Sequence, residues 1–164
     1  MRTRGGGATQ CVRRATAADA ATISALNAHV QAVHAAALPW LFKPPSPDTF
    51  PPATAAALLA RDDVLIYLAS LADEPVGYAY AQIRRYPETA LQYAFEDIYV
   101  HHLSVDPRHR GRGIGGALLD AVRRAAHDLN IGQIALDVWS FNERAHVFFR
   151  RHGFQAYNER LWLR

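Results

Sequence analysis

Apolar and polar positions alternate or recur along the chain with periods that assign most of its elements. Gln10 to Ala15 alternates weakly and reads as a first strand. Thr16 opens a T-x-x-D start with Asp19 in the first turn. Ile23, Leu26, Val30 and Val33 then follow at helical spacing, which predicts an amphipathic helix over about 17–37. Pro39, Pro44, Pro45, Pro47, Pro51 and Pro52 interrupt the chain as a loop, and a short helix follows at about 53–61. Val64–Leu71 and Val76–Ile83 are β-rich and flank the turn Asp73-Glu74-Pro75, so they read as a hairpin. Arg84 to Phe95 is aperiodic and reads as a loop, Ile98–Val105 as a strand, and Asp106–Gly116 as a basic, glycine-rich loop. Ile114, Leu118, Ala121 or Val122, Ala125 and Leu129 mark a helix that ends near Asn130-Ile131-Gly132. Ile134–Trp139 is a strand, Asn142–His152 a helix stopped by Gly153, and two short strands near Phe154–Tyr157 and Arg160–Leu163 are expected to close the sheet. The order β-α-α-β-β-β-α-β-α-β-β is a mixed α/β domain over 10–164, preceded by a flexible, glycine-rich tail at 1–9.

Composition narrows the partners. The 164 residues fit one domain, and the single cysteine, Cys11, rules out a disulfide framework or a multi-thiolate zinc site and reads as a small buried apolar residue. The formal charge of +3 comes from the N-terminus: Arg2, Arg4, Arg13 and Arg14 lie in 14 residues without an acid, and the remaining fourteen basic residues face fifteen acidic ones. No uniformly basic surface for nucleic acid is expected. The longest apolar run, Ala35–Phe42, has eight residues with Pro39 inside it, against the roughly 20 that a membrane span needs. The basic N-terminus leads into no apolar segment of the secretory kind, so the expected location is the cytoplasm.

The chemistry concentrates between residues 97 and 116. Gly111, Gly113 and Gly116 match G-x-G-x-x-G, with Asp137 21 residues beyond the last of them. A dinucleotide site is nevertheless rejected, because Asp106 to Arg110 intervene between strand and first glycine and too little chain follows Asp137 for further βα units. The absence of G-K-[ST] excludes a P-loop. Four glycines within six residues, flanked by arginines, exceed what an unliganded turn requires. Such a loop lets backbone N–H groups converge, the following helix adds its positive end, and Arg110 and Arg112 add charge, a combination suited to a pyrophosphate carried by a small molecule.

LSVDPRHRGRGIGGALL, residues 103–119, resembles the acyl-CoA-binding motif R/Q-x-x-G-x-G/A of the GNAT superfamily of N-acetyltransferases, with Arg110, Gly113 and Gly115 in its fixed positions. A second block of that family, N-x-x-A-x-x-x-aromatic-x-x-x-G-F, is met by Asn142, Ala145, Phe149, Gly153 and Phe154. The opening RRATAADAATISALN is similar to the family's first strand and helix, so the resemblance runs over about 10–164. It implies a mostly antiparallel mixed sheet whose central strands 4 and 5 splay apart, flanked by about four helices. It also implies acetyl-CoA as co-substrate, with the pantetheine arm along the backbone of Leu103, Ser104 and Val105, and the N–H of Leu103 on the thioester carbonyl. By the same resemblance the backbone of Gly111, Arg112, Gly113, Ile114, Gly115 and Gly116 holds the pyrophosphate with Arg110, and Asn142 lies beside the pantetheine arm, a position in which it also serves as a helix cap. A homodimer is left open.

Amine acetylation needs a base, because an amine of pKa near 10 must lose a proton before it attacks a thioester. Alternation puts Asp97, Tyr99, His101, Leu103 and Val105 on one face of the strand unless a β-bulge shifts the parity, so Asp97 and His101 are the base candidates, with Glu96 and water in reserve. As structural residues they would cap the strand entry and sit as a satisfied histidine. His101 and His102 should point apart and not chelate one metal, and no metal site is expected. Many relatives carry a tyrosine at Phe149 as general acid; phenylalanine has no proton to give, which leaves Tyr157, His152, unaided departure of the thiolate, or a non-catalytic acyl-CoA sensor. The acceptor region, His34–Phe50 and Tyr86–Phe95, is aromatic with Asp48 and Glu88 as amine anchors, and suits a small amine, an amino-acid derivative or a peptide N-terminus.

Overall fold

The computed structural model describes residues 9–163. Five strands form one sheet in the order β1-β2-β3-β4-β5: β1 (Gln10–Arg14), β2 (Val64–Leu71), β3 (Glu74–Tyr86), β4 (Phe95–Val105) and β5 (Ile134–Leu136). The first four pair antiparallel and β5 pairs parallel to β4. Helices α1 (Ala20–Ala37) and α2 (Pro52–Leu59) cover one face, and α3 (Ile114–Asp128) covers the other. The short helix α4 (Glu143–Arg151) packs across the start of α3, where a Cβ on Gly115 would come within 3.2 Å of the Phe148 ring. Among the described residues no helix is long and apolar enough to cross a membrane.

Local sequence accounts for the boundaries. Asp19 accepts from the Thr16 amide at 2.7 Å and is held by two bonds from Arg13 at 2.8 Å, which fixes the turn into α1. Asn130, at φ +56, ends the α3 region in the left-handed conformation that asparagine tolerates. The β2–β3 hairpin turns on Ala72 and Asp73, both at positive φ, one residue earlier than the turn residues expected. Both β3 and β4 run further into 84–95 than the aperiodic pattern indicated, because Arg84 and Arg85 pair with Asp97 and Glu96 across the ladder and Tyr86 stacks on Phe95 with centroids 4.3 Å apart.

Three expectations are corrected. Cys11 is exposed, since β1 is an edge strand whose residues apart from Val12 face outward. β5 stops at Leu136 instead of Trp139, and the closing strands at Phe154–Tyr157 and Arg160–Leu163 do not form. The cause lies in β4. Its ladder with β3 shifts register between Tyr80 and Ala81, leaving His101 as the extra residue of a β-bulge, and β5 has no partner beyond Val100. The chain that should extend the sheet is used elsewhere: Trp162 packs on Trp40 and Trp139, with centroids 5.4 and 6.1 Å away. Of the tail expected at 1–9, all but Thr9 lies outside the described residues.

Candidate functional site

The end of β5 leaves the second half of β4 with an open edge, and the ladder register identifies its free groups. Asp106 N–H donates to the Val76 carbonyl at 2.8 Å, and the pairs from Val105↔Gly77 to His102↔Tyr80 follow in step. Antiparallel pairs alternate between bonded and non-bonded. Ser104 and His102 therefore bond to β3, while the N–H and C=O of Leu103 and Val105 point away from it, into the gap between β4 and β5. The Val105 carbonyl is reached there by Arg110 Nε at 3.1 Å.

The glycine loop adjoins this edge. Gly111 and Gly113 have φ of +77 and +79 with nothing near a built Cβ, so they serve backbone conformation. Gly115 and Gly116 serve packing, because a Cβ there would crowd Phe148 and His152. Ala117 N–H bonds the Gly113 carbonyl at 3.0 Å, and the amides of Ile114, Gly115 and Gly116 lie ahead of that bond at the positive end of α3. Arg108 is turned away from this end, since it closes on Asp106 at 2.6 Å. Asp106 also accepts from the Arg108 amide and is held well below the usual carboxylate range by these contacts. The nearby acid is thus neutralised, and Arg112, exposed, and Arg110 remain beside the amides. Loop and arginines fit an anionic diphosphate. Asn142 caps α4 by accepting from the Ala145 amide at 3.1 Å, which leaves its amide nitrogen to donate. Phe149 packs between Phe148 and Phe154, with centroids 5.1 and 5.5 Å away.

The bulge shifts the parity of β4 after the base candidates: Asp97, Tyr99 and His101 keep the shared face expected of them, while Leu103 and Val105 do not. Leu103 and Val105 pack toward α3, whereas His101 and His102 both reach the face of α1 and α2. The expectation that the two histidines point apart is therefore overturned: His101 stacks on the Tyr80 ring at 4.6 Å and His102 meets the same ring edge-on at 5.3 Å. His102 is half-buried, and its Nδ1 lies 2.9 Å from Tyr78 OH, whose oxygen accepts from Asn27 Nδ2 at 2.9 Å. Burial, with smaller repulsion from His101 and His34, pushes the His102 pKa down to about 4. Burial also lowers His101, aided by the charges of Arg84 and Arg61. Asp97 is 4% exposed and both its oxygens are taken by Arg84, at 2.9 and 2.6 Å. His152 Nδ1 bonds the Phe148 carbonyl at 2.9 Å, and Tyr157 is 84% exposed. Among the described residues no group of three or more metal-capable side chains comes together.

The sequence reading passed over the residues that surround His101. Tyr80, Gln82 and Arg84 share one face of β3 by period-2 alternation, and that alternation was the available signal. Gln82 Oε1 lies 3.0 Å from His101 Nε2, and the Tyr99 ring is 4.8 Å from the His101 ring. Desolvation and the Asp137 carboxylate push Tyr99 up to about 12, so its phenol keeps its proton at neutral pH.

A sheet split beside a glycine-lined helix N-terminus is the arrangement that the sequence resemblance implied, and the comparisons agree with that family. The chain belongs to the acetyltransferase (GNAT) family, whose model matches residues 13–154. It is 33% identical over 60 residues to the uncharacterized N-acetyltransferase YesJ of Bacillus subtilis (strain 168), a match covering 37% of this chain and 33% of that protein. Among solved structures it is similar to a tetramutant of the BH1408 protein from Bacillus halodurans (TM-score 0.89, 23% identity, 94% of this chain and 99% of that one). It is also similar to AAC(6')-Iy in complex with a CoA-linked bisubstrate analogue (TM-score 0.76, 18% identity, 95% and 97%). A third similar structure is an aminoglycoside acetyltransferase, HMB0005, from an uncultured soil metagenomic sample (TM-score 0.70, 19% identity, 95% and 98%).

Proposed function

We propose that the chain transfers the acetyl group of acetyl-CoA to a primary amine of a small molecule by direct attack on the thioester. The observation that carries this reading is the outward-facing backbone of Leu103 and the Val105 N–H, open where β5 has ended and contiguous with the unpaired amides at the start of α3. Acetyl-CoA supplies an activated acyl carbon. The open edge of β4 accepts the pantetheine amides as an added strand would, with Leu103 to Val105 as partners. The Leu103 N–H stabilises the carbonyl oxygen as negative charge develops. Ile114, Gly115 and Gly116, with Arg110 and Arg112, hold the diphosphate, and Asn142 Nδ2 donates to the arm.

His101 is the base. Asp97 is closed by a bidentate ion pair, whereas His101 is neutral at pH 7 and exposed beside the open edge. The aminoglycoside acetyltransferases among the similar structures support a small-molecule amine as acceptor. The cluster of His34, Phe42, Trp139 and Phe141 rings, on the helix–loop region expected to hold the acceptor and beyond β5, favours an amine carried on an apolar body. Thiol release from acetyl-CoA across a panel of amines, amino-acid derivatives and short peptides tests the reading. Amine-dependent release with formation of the N-acetyl product is expected. Tight binding of acetyl-CoA without any amine-dependent release would identify a sensor instead.

A further inference from the structure

We propose that Gln82 and Asp63 are positioning residues that fix which ring nitrogen of His101 carries its proton, leaving Nδ1 as the lone pair that deprotonates the acceptor amine. The consequence for turnover rests on the acetyltransferase reading; the tautomer itself does not.

The chain of donors and acceptors runs through three side chains. Asp63, in the turn before β2, is bound by Arg61 through Nε at 2.9 Å and Nη2 at 2.6 Å. Chiefly for that reason, and with help from Gln82, its pKa falls to about 2, so at working pH it is a carboxylate that can only accept. Gln82 Nε2 lies 2.9 Å from Asp63 Oδ2 and must be the amide end that faces it. The Gln82 carbonyl oxygen is then directed at His101 Nε2, 3.0 Å away, and can only accept. Nε2 must therefore bear the hydrogen. Reversing the amide would set two acceptors against each other at Asp63, and only that reversal would let His101 Nε2 accept and Nδ1 carry the proton. A hydrogen bond to a charged group biases such a choice by roughly 10- to 100-fold.

The surroundings hold the ring without competing for Nδ1. Tyr80 stacks on it from β3 at 15° and 4.6 Å, and Tyr99 meets it edge-on from β4 at 4.8 Å. The charged groups that bear on it are Arg84 on β3 and Arg61 before β2, both of which disfavour the imidazolium, with His102 following on β4. In the proposed step the proton leaves the amine nitrogen for His101 Nδ1 as the C–N bond forms. The C–S bond then breaks and sulfur leaves as thiolate, and the imidazolium returns its proton to solvent or to the thiolate.

The test reads the tautomer directly. Long-range ¹H–¹⁵N correlation spectra of ¹⁵N-histidine protein at pH 8 are expected to show His101 overwhelmingly protonated on Nε2. Asp63→Asn removes the obligate acceptor, so the amide and the tautomer should become mixed. The double change Asp63→Asn with Gln82→Glu restores a one-way chain: the amide introduced at position 63 donates to the carboxylate introduced at position 82, and that carboxylate accepts from Nε2. It should recover the Nε2–H form and raise the His101 pKa. In kinetics, Gln82→Ala should lower kcat about 10-fold or more with the KM for acetyl-CoA unchanged, and the double variant should regain kcat with its acid limb moved to higher pH. A wild-type His101 protonated on Nδ1, or an Asp63→Asn protein with unaltered tautomer and pH profile, would overturn the proposal. A fixed Nε2–H form in a protein that releases no thiol with any amine would sink the acetyltransferase reading while leaving the tautomer lock standing.

Discussion

Substitution at Gly113 separates the two roles assigned to the glycine loop, because shape and charge make opposite demands there. Gly113 is the residue before α3, at φ +79 and ψ 0, and a Cβ on it meets nothing within 4 Å. Gly113→Ala therefore creates no clash and costs only the strain of the left-handed backbone, about 1–2 kcal/mol, offset in part by the stiffer unfolded chain. A net loss of about 1 kcal/mol lowers Tm by roughly 2–4 °C in a chain of this size. Gly113→Asp should melt at or above the alanine variant. Aspartate tolerates that conformation better, and a negative charge at a helix start stabilises by about 0.3–1 kcal/mol. Binding should rank the other way. The new carboxylate sits by the amides of Ile114 to Gly116 and repels an incoming diphosphate. Unit charges 4 Å apart near a protein surface repel by about 4 kcal/mol; if screening leaves half of this, affinity for acetyl-CoA drops about 30-fold. Calorimetric titration with acetyl-CoA at low and high salt, alongside thermal melts, measures both. The expected order is Gly, Ala, then Asp far behind for affinity, with the Asp deficit shrinking as salt rises. Equal affinity of the Asp variant and wild type would remove the diphosphate from this helix end, and an Ala variant as weak as Asp would show that backbone shape alone governs binding.

The open edge of β4 predicts that Leu103→Pro keeps the β3–β4 ladder but lowers kcat by about 10²–10³-fold, because only the outward N–H is lost; Ser104→Pro, which removes a ladder bond and the Ser104 Oγ bond to the Leu26 carbonyl, should melt far lower. Equal melting of the two proline variants would mean that the register was misassigned. Between pH 6.5 and 4 stability should fall on the order of 3 kcal/mol, since unfolded His102 takes up a proton near 6.5 and the folded residue only at about 4; the unfolded state binds more protons in that window and stability rises with pH. Urea unfolding at pH 7 and pH 4.5, with a histidine NMR titration, checks this, and a His102 titrating near 6.5 would contradict it. Phe149→Tyr should raise kcat and introduce a descending alkaline limb near the phenol pKa of about 10, as expected if the thiolate lacks a nearby donor; an unchanged profile would show that the leaving sulfur needs none.

Much of this was legible in the residues, and what was not has a common cause. The near-continuous β-rich runs at Val64–Leu71 and Val76–Ile83 match strands buried on both faces, and the 3.6-period stripe of α3 reports burial on one side. The glycine loop was legible because its composition costs conformational entropy that a bare turn does not need to lose. Cys11 was misjudged because alternation shows that a strand has two faces but not that β1 lies at the sheet's edge. The closing strands were misjudged because β propensity is a local quantity, while a strand also needs a neighbour with free N–H and C=O groups. Beyond Leu136 that neighbour is missing, and the Trp162 ring finds Trp40 and Trp139 instead.

The bulge at His101 ties these misses together. A single inserted residue leaves every side chain on β4 compatible with an alternating pattern on each side of it, so two consecutive histidines give no sign of where the parity changes. Its consequences are nevertheless chemical. It turns β4 away from β5, which frees the Leu103 and Val105 backbone, and it brings His102 round to the face that His101 already shares with Gln82. Asp97, four residues before, stays in regular ladder opposite Arg84 and is consumed by it. Had β4 run on without the extra residue, His102 would turn to the α3 face, and Leu103 would follow His101 in phase with its N–H in the β3 ladder instead of the gap. The bulge thus puts the Leu103 N–H at the gap and its side chain in the α3 core, on the face opposite His101; in the proposed reaction the acyl donor and the amine would approach β4 from different sides.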